Sequence, residues 1–309
     1  MYIFIINPVA GNKLGEMIYK RFMNAHPELQ SNSSVYYTTK SDEAILLTKQ
    51  IVSEHRGKIK VLIIIGGDGT FYEVINGLTS EDEILLAFVP AGSGNDFARG
   101  NQMSLNGFKQ IETIVQEHQL HPYWFGEYRV DKEENQTPKR FATSMGFGFD
   151  AEVASFVNQS KWKSRLNAWK LTPLIYVLGL ITNLFIYSPK DLKLNLDGQI
   201  LSKEDVWMIT VSNHPYFGGG MKIAPEAKVN GEYFTVTIVN KIARLKVFIL
   251  FITVFFGLHT RLKEVETYQA RVISVESDEA IPFQVDGFTS STYYSHIKKG
   301  IKATYIVKK

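Results

Sequence analysis

The run Ile63-Ile64-Ile65-Gly66-Gly67-Asp68-Gly69-Thr70-Phe71-Tyr72-Glu73-Val74-Ile75-Asn76-Gly77 constrains this chain more than any other stretch. A β-branched apolar run stops at two glycines. A carboxylate, a third glycine, a hydroxyl and a helix-like segment follow. A buried strand feeding a glycine turn and a helix is how open α/β sheets build phosphate sites. Glycine lets backbone N–H groups approach an anion that a Cβ would block, and a helix N-terminus favours negative charge. Asp68 stands against that field. A carboxylate facing phosphates is repelled unless a metal lies between them or it takes a proton from a substrate. The combination points to nucleotide chemistry with magnesium. It is neither a Walker A loop nor a dinucleotide G-x-G-x-x-G fingerprint.

The blocks that follow other strands extend this reading. Asn7-Pro8-Val9-Ala10-Gly11 follows an apolar strand at 2–6, and Thr38-Thr39 ends a second at 34–38. Val89-Pro90-Ala91-Gly92-Ser93-Gly94-Asn95-Asp96 follows a third run at 84–89. Helices are expected near 13–25, 42–55, 70–78 and 107–117. Strand-helix alternation of this kind predicts a parallel, helix-flanked α/β sheet over 1–122. Ligands of such sheets sit at the carboxyl ends of the strands, so the four blocks can converge on one nucleotide. Gly66, Gly67, Gly69 and Thr70 then cradle the phosphates. Asn7 and Gly11 serve from the first loop, and Thr38, or Thr39 in its stead, from the second. Ser93, Gly94, Asn95 and Asp96 complete the site.

Residues 123–309 read differently. Strand-like runs at 125–130, 192–196, 206–212, 234–239, 272–275 and 303–307 are joined by glycine-containing turns, with a polar hairpin tip at 132–139. This predicts a mainly antiparallel β-sandwich or barrel with inserted helices. Apolar stretches at 171–187 and 247–258 are too short or too broken for membrane spans, which need roughly 20 apolar residues. They fit helices packed on a sheet or lining a lipid cleft. The second half carries 24 Lys+Arg against 18 Asp+Glu, which suits a peripheral contact with an anionic membrane surface.

There is no cysteine, which excludes a disulfide framework, a thiolate nucleophile and a Cys-type zinc site. The seven histidines show no metal-ligand spacing, and no basic-aromatic surface pattern suggests nucleic-acid binding. A strand beginning at Tyr2 leaves no room for a signal peptide, so a cytoplasmic protein is expected.

GGDGT resembles the phosphate loop of NAD kinases, 6-phosphofructokinases and the diacylglycerol, sphingosine and ceramide kinases. With the loop blocks above, Phe141-Ala142-Thr143-Ser144-Met145-Gly146-Phe147-Gly148-Phe149-Asp150-Ala151, Phe217-Gly218-Gly219-Gly220-Met221 through Ala227, and Val285-Asp286-Gly287 are similar to the soluble bacterial diacylglycerol kinase family over nearly the whole chain. The resemblance implies an ATP- and magnesium-dependent kinase acting on the hydroxyl of a diacylglycerol-like membrane lipid. Asp68 and Asp96 would organise the metal through water, Glu73 and Asn76 would brace the nucleotide site, and Asp286 or Asp68 would accept the proton. A homodimer is compatible with this reading.

The chain departs from the family at its base. The glutamate of the family's "vDGE" is Phe288 here. A second magnesium turn is replaced by Lys228-Val229-Asn230-Gly231-Glu232, and an aspartate expected before Gly126 by Trp124 and Phe125. The rival reading is therefore a nucleotide- or lipid-binding relative that has lost turnover. A kinase for a soluble substrate, such as an NAD kinase, lacks the later blocks.

Overall fold

The computed structural model describes residues 1–40, 42–79, 81–116, 119–131, 137–159 and 172–308. It divides into two units, Met1–Trp124 with Lys302–Lys309, and Phe125–Ile301.

In the first unit, β1 (Tyr2–Ile6), β2 (Ser33–Tyr37), β3 (Val61–Gly66) and β4 (Leu85–Pro90) pair in parallel in the order β2-β1-β3-β4. β1 and β3 are apolar without alternation and buried at every residue. That is what strands covered on both faces require. α1 (Leu14–Ala25) and α5 (Gly107–Gln116) cover one face, where Ile18, Phe22, Ile111 and Ile114 meet Phe4 and Ile63. On the other face, Phe71 of α3 (Asp68–Gly77) and Phe97 of α4 (Asp96–Gly100) stack on one another at 4.1 Å and both meet Phe88. α2 (Glu43–Glu54) packs beside α3. The strand order reverses between β1 and β3, and that switch point is where open α/β sheets place ligands.

The sheet is completed from a distance. β15 (Thr304–Lys308) lies parallel to β4 and antiparallel to β5 (Gln119–Tyr123). The sequence pattern assigns 303–307 to the β-rich half, and the structure corrects this. Ile306 and Val307 bury themselves in the first sheet, whose open edge past β4 offers an apolar partner that a five-residue strand cannot advertise.

The second unit is antiparallel. β6 (Gly126–Val130), β7 (Lys139–Phe141), β8 (Ser144–Gly148), β10 (Gln199–Ser212), β11 (Phe234–Asn240), β12 (Val265–Ala270), β13 (Val272–Val285) and β14 (Phe288–Lys299) run in the order β12-β11-β10-β8-β13-β14-β6-β7, and β9 (Lys190–Leu196) pairs with β10 and β13. Of the expected hairpin tip, residues 132–136 lie outside the described residues. β13 and β14 are far longer than the run at 272–275 suggests, because polar residues alternate along them. α6 (Phe149–Gln159), α7 (Thr172–Ile186) and α8 (Arg244–Val254) accompany the sheet. Leu180, Leu184, Val247, Leu250 and Val254 join Trp207 and Phe149 in one core. Among the described residues, no helix is long and apolar enough to cross a membrane.

Candidate functional site

The loops after β1, β3 and β4 meet at the carboxyl edge of the first sheet. Asn7 Nδ2 donates to Thr70 Oγ1 at 3.1 Å, which joins the two loops flanking the switch point. Ala91 N–H donates to the Gly66 carbonyl at 2.8 Å. A Cβ on Gly92 would lie 2.6 Å from Gly67 Cα, so the GGDGT loop and the 91–96 loop touch through backbone alone. Gly11, at φ +55, would put a Cβ 2.2 Å from the Ala91 carbonyl oxygen. The glycines were expected to make way for an anion. Gly66 and Gly67 instead make way for Thr70 and Gly92, while at Gly69 the position of a Cβ is open space.

The α3 ladder begins with Phe71 N–H on the Gly67 carbonyl at 3.1 Å. The first-turn N–H groups at Asp68, Gly69 and Thr70 therefore have no carbonyl within their own helix, and they form the positive end of its dipole.

Asp68 is held by its neighbours. Its two oxygens accept the N–H of Asp96 at 3.1 Å and of Phe97 at 3.0 Å, so the carboxylate caps α4. The Phe71–Phe97 stack brings the two helices together for this. Burial raises the Asp68 carboxyl above its ordinary value, against the pull of the Phe97, Asp96 and Asn95 N–H groups. Part of the residue still reaches the surface, and N–H donors are served by the ionised form, so we assign the carboxylate.

The remaining residues of the first unit hold the loops in shape. Asn95, in the left-handed region at φ 54, accepts the Gly92 N–H at 3.0 Å and donates to the Gly92 carbonyl at 2.8 Å, which closes the 92–95 turn. The Gly94 carbonyl accepts from Arg99 Nε at 3.2 Å, and Ser93 is exposed. Glu73 accepts the Ala44 N–H at 3.0 Å and so caps α2 from across the helix pair. Burial, then the charges of Asp42 and Glu43, raise its carboxyl, against N–H bonds from Asp42 and Ala44. Asn76 donates to the Tyr72 carbonyl at 2.8 Å. Thr38 is buried, with its N–H on the Ile6 carbonyl at 2.9 Å, whereas the Thr39 hydroxyl goes to Glu43 at 2.9 Å. Among the described residues no cluster of three or more His, Cys, Asp and Glu could cage a metal. Asp68, whose carboxylate accepts the Asp96 N–H at 3.1 Å, and buried Asp96 are the two carboxylates of these loops; magnesium is usually held by one or two carboxylates together with phosphate oxygens and water.

In the second unit, Asp286, named by the family resemblance as a proton acceptor, lies in a tight turn. Asp286 and Gly287, at φ 46 and 92, are the two central residues of the β13–β14 hairpin. Asp-Gly is the preferred pair for that turn. The carboxylate accepts the N–H groups of Ala142 (2.6 Å), Thr143 (2.9 Å) and Ser144 (3.2 Å), and the Thr143 hydroxyl. Burial raises its pKa to about 6 against those four donors. Asp286 anchors the 142–144 segment through these four donors. Phe288 follows the turn, 39% exposed, with Lys139 Nζ 5.6 Å from its ring centre. At the expected second metal turn, Asn230 Oδ1 itself accepts the Glu232 and Tyr233 N–H groups at 2.8 and 3.0 Å.

Asp150 is the group that sequence reasoning passed over. It sits in the first turn of α6, where an aspartate reads as a dipole partner. The structure buries it over Gly146, whose Cβ would fall 1.9 Å from Asp150 Oδ2. Burial raises its pKa to about 7, opposed by the N–H of Ala151 and by Gln284. Gln284 stands close enough to favour the charged form, yet neither carboxylate oxygen nor Gln284 Nε2 makes a hydrogen bond among the described residues. The same sheet face carries a row of buried hydroxyls in register, Ser144, Ser212 and Thr235, with Thr210 on the next row. All four hydroxyls lack partners among the described residues.

Residues 1–123 match the family described as "Diacylglycerol kinase catalytic domain", and residues 143–295 that described as "YegS C-terminal NAD kinase beta sandwich-like domain". The "Putative lipid kinase YtlR" of Bacillus subtilis (strain 168) is 33% identical over 288 residues, covering 93% of this chain and 92% of that protein. The diacylglycerol kinase of Staphylococcus carnosus (strain TM300) is 24% identical over 285 residues, 92% of this chain and 87% of that protein. Among solved structures, a diacylglycerol kinase from Bacillus anthracis str. Sterne superposes with a TM-score of 0.71 at 17% identity, covering 100% of this chain and 96% of that one. Yeast NADH kinase shares the fold at a TM-score of 0.53 and 10% identity, covering 100% of this chain and 83% of that one.

Proposed function

This chain belongs to the soluble bacterial diacylglycerol kinase family of lipid kinases, and we propose that it transfers the γ-phosphoryl group of ATP to the hydroxyl of a diacylglycerol-like lipid met at a membrane surface. The observation that carries this reading is the carboxylate of Asp68, fixed on the α4 amides beside the α3 N-terminus. Phosphoryl transfer asks chiefly for positioning and charge neutralisation. The N–H groups of Asp68, Gly69 and Thr70 bind phosphate oxygens at the helix terminus. Asn7 and Thr70 lock the two loops that hold the nucleotide, and Asn95 keeps the opposing loop closed. Asp68 and Asp96 are the carboxylates that would hold magnesium. The ion, when bound, draws charge from the phosphates.

The acceptor lipid brings hydroxyl and ester oxygens. In the second unit, Asp150 is the carboxyl whose pKa, raised by burial to about 7, suits a proton acceptor, since a base works best when its pKa lies near the working pH. Asp286 positions this face by holding 142–144. Labelled ATP, with and without magnesium, tested against mono-, di- and triacylglycerols, sphingosine and ceramide in mixed micelles, tests the reading. Label in the diacylglycerol product, dependent on magnesium, is expected.

The rival reading has one observation in its favour: Phe288 stands where the family has its glutamate. A chain that binds ATP tightly and labels none of those lipids would be a binding relative without turnover.

A further inference from the structure

α8 has two apolar faces, and only one is used inside the protein. Val247, Leu250 and Val254 enter the core with Trp207 and Ile242. Leu245, Ile249 and Ile252, with Phe256 just beyond the helix, recur in steps of four, three and four, and are 74, 53, 62 and 72% exposed. α7 repeats the arrangement. Leu180 and Leu184 face the same core, while Leu178, Ile181, Phe185 and Ile186 are exposed. Arg244 binds the two helices into one body. Its Nη1 donates to the carbonyls of Leu184 at 2.6 Å and Tyr187 at 3.0 Å, capping the end of α7 with the start of α8. Exposed apolar surface gathered in this way marks an interaction site.

Charge indicates the partner. Residues 172–187 and 241–263 contain no Asp or Glu. Of the cations flanking α8, Arg244 is spent on α7 and Lys246 on Glu264 at 2.7 Å. Arg261 and Lys263 are exposed and form no ion pair among the described residues. The Lys222 stem lies against the turn at Gly257, 3.4 Å from where its Cβ would be. An apolar helical face rimmed by unpaired cations, too short to span, is the composition of a segment that lies in the plane of a bilayer, about 5–10 Å deep.

We propose that the exposed faces of α7 and α8 are a docking surface for an anionic phospholipid bilayer, with Phe185, Ile249, Ile252 and Phe256 inserted among the acyl chains and Arg261 and Lys263 at the headgroups. The lipid-kinase reading supplies only the reason for a membrane partner; the surface stands on its own geometry.

Co-sedimentation of the full chain with phosphatidylcholine vesicles, with and without phosphatidylglycerol, tests the surface. Binding is expected to need phosphatidylglycerol and to weaken as salt rises. The double substitution Ile249→Asp with Phe256→Asp is expected to lower partitioning by at least roughly tenfold at an unchanged melting temperature. Arg261→Ala with Lys263→Ala is expected to lose roughly fivefold per charge and most of the salt dependence. Wild-type partitioning by the double Asp variant, or no vesicle binding by the native chain at low salt, overturns the proposal. So does a native dimer that the same substitutions convert to monomer in light scattering, since the occupant is then a second copy. Phosphorylation of lipid dispersed in detergent micelles separates the two readings. A chain that binds vesicles through this face and labels no micellar lipid leaves the docking surface intact and removes the kinase.

Discussion

The two units treat their polar groups in opposite ways. In the first, the side chains of the nucleotide loops are largely paired with one another or with backbone: Asn7 with Thr70, Asn95 with Gly92, Asp68 with the α4 amides, Glu73 with Ala44. What remains to be offered is backbone at the head of a helix. In the second, Asp150 and a row of hydroxyls lie buried without a hydrogen-bond partner among the described residues. Loops closed by their own side chains leave backbone N–H groups to offer, whereas a buried carboxyl without a partner is a group whose protonation burial controls.

Breaking the paired side has the largest expected effect. Asp68→Asn is expected to lower phosphoryl transfer by about 10²–10⁴-fold, read as kcat in the micelle assay. The sequence alone suggests a loss of turnover without loss of stability. The cap on α4 changes that expectation: the variant should also lose about 1 kcal/mol in urea unfolding. Full activity in this variant would remove Asp68 from the chemistry.

In the second unit, Asp286 contrasts with Asp150, since its carboxylate has four donors. Asp286→Ala leaves four buried donors facing nothing and is expected to cost about 3–5 kcal/mol of stability. Measured by urea midpoint, a loss under 1 kcal/mol would show that the hairpin holds without its anchor.

The unpaired side is sharpened by pH. In the unfolded chain Asp150 releases its proton near the ordinary carboxyl value, whereas in the folded protein it holds the proton up to about 7. Folding therefore takes up a proton between those values, and stability falls as pH rises through that window, then levels off. Asp150→Asn removes the contribution. The variant should match wild type near pH 4 and exceed it by about 4 kcal/mol at pH 8, while its kcat falls. Parallel pH profiles for the two proteins would contradict a buried, unpaired carboxyl.

The smallest effect is expected at Phe288. The residue is part exposed and next to Lys139, so Phe288→Glu should change stability by no more than about 0.5 kcal/mol and leave kcat within a few-fold. A rise of a hundredfold would mean that the family's glutamate is what this chain lacks, and that Asp150 is not the proton acceptor.

These contrasts also explain what could be read without coordinates. GGDGT and the blocks after the first, second and fourth strands are local signals, each a strand end followed by turn chemistry, and they surface together at one sheet edge. The roles within them were harder to read. Gly66 and Gly67 look like ligand-facing glycines until Thr70 and Gly92 are seen to occupy the space. Asp286-Gly287 carries a hairpin signal in its two letters, yet a resemblance to a catalytic motif draws the eye to proton transfer. Asp150 sits within a family-like block, but its burial is not legible there, because it depends on Gly146 of β8 and Gln284 of β13 meeting beneath it, and no local pattern encodes the second.

The placement of β15 has a consequence for how the protein is made. β5 joins its sheet only through β15 among the described strands, and β15 is translated about 180 residues later. At roughly 5–20 residues per second, β5 waits on the order of ten seconds or more on the ribosome with an edge unsatisfied, while all of the intervening β-rich unit emerges. Vectorial folding from the N-terminus is thus closed to the nucleotide unit. Its β1–β4 layer can condense early, but its last two strands zip only when the distant strand arrives. A nascent chain stalled anywhere between 125 and 303 lacks β15 and leaves the edge of β4 without its partner strand.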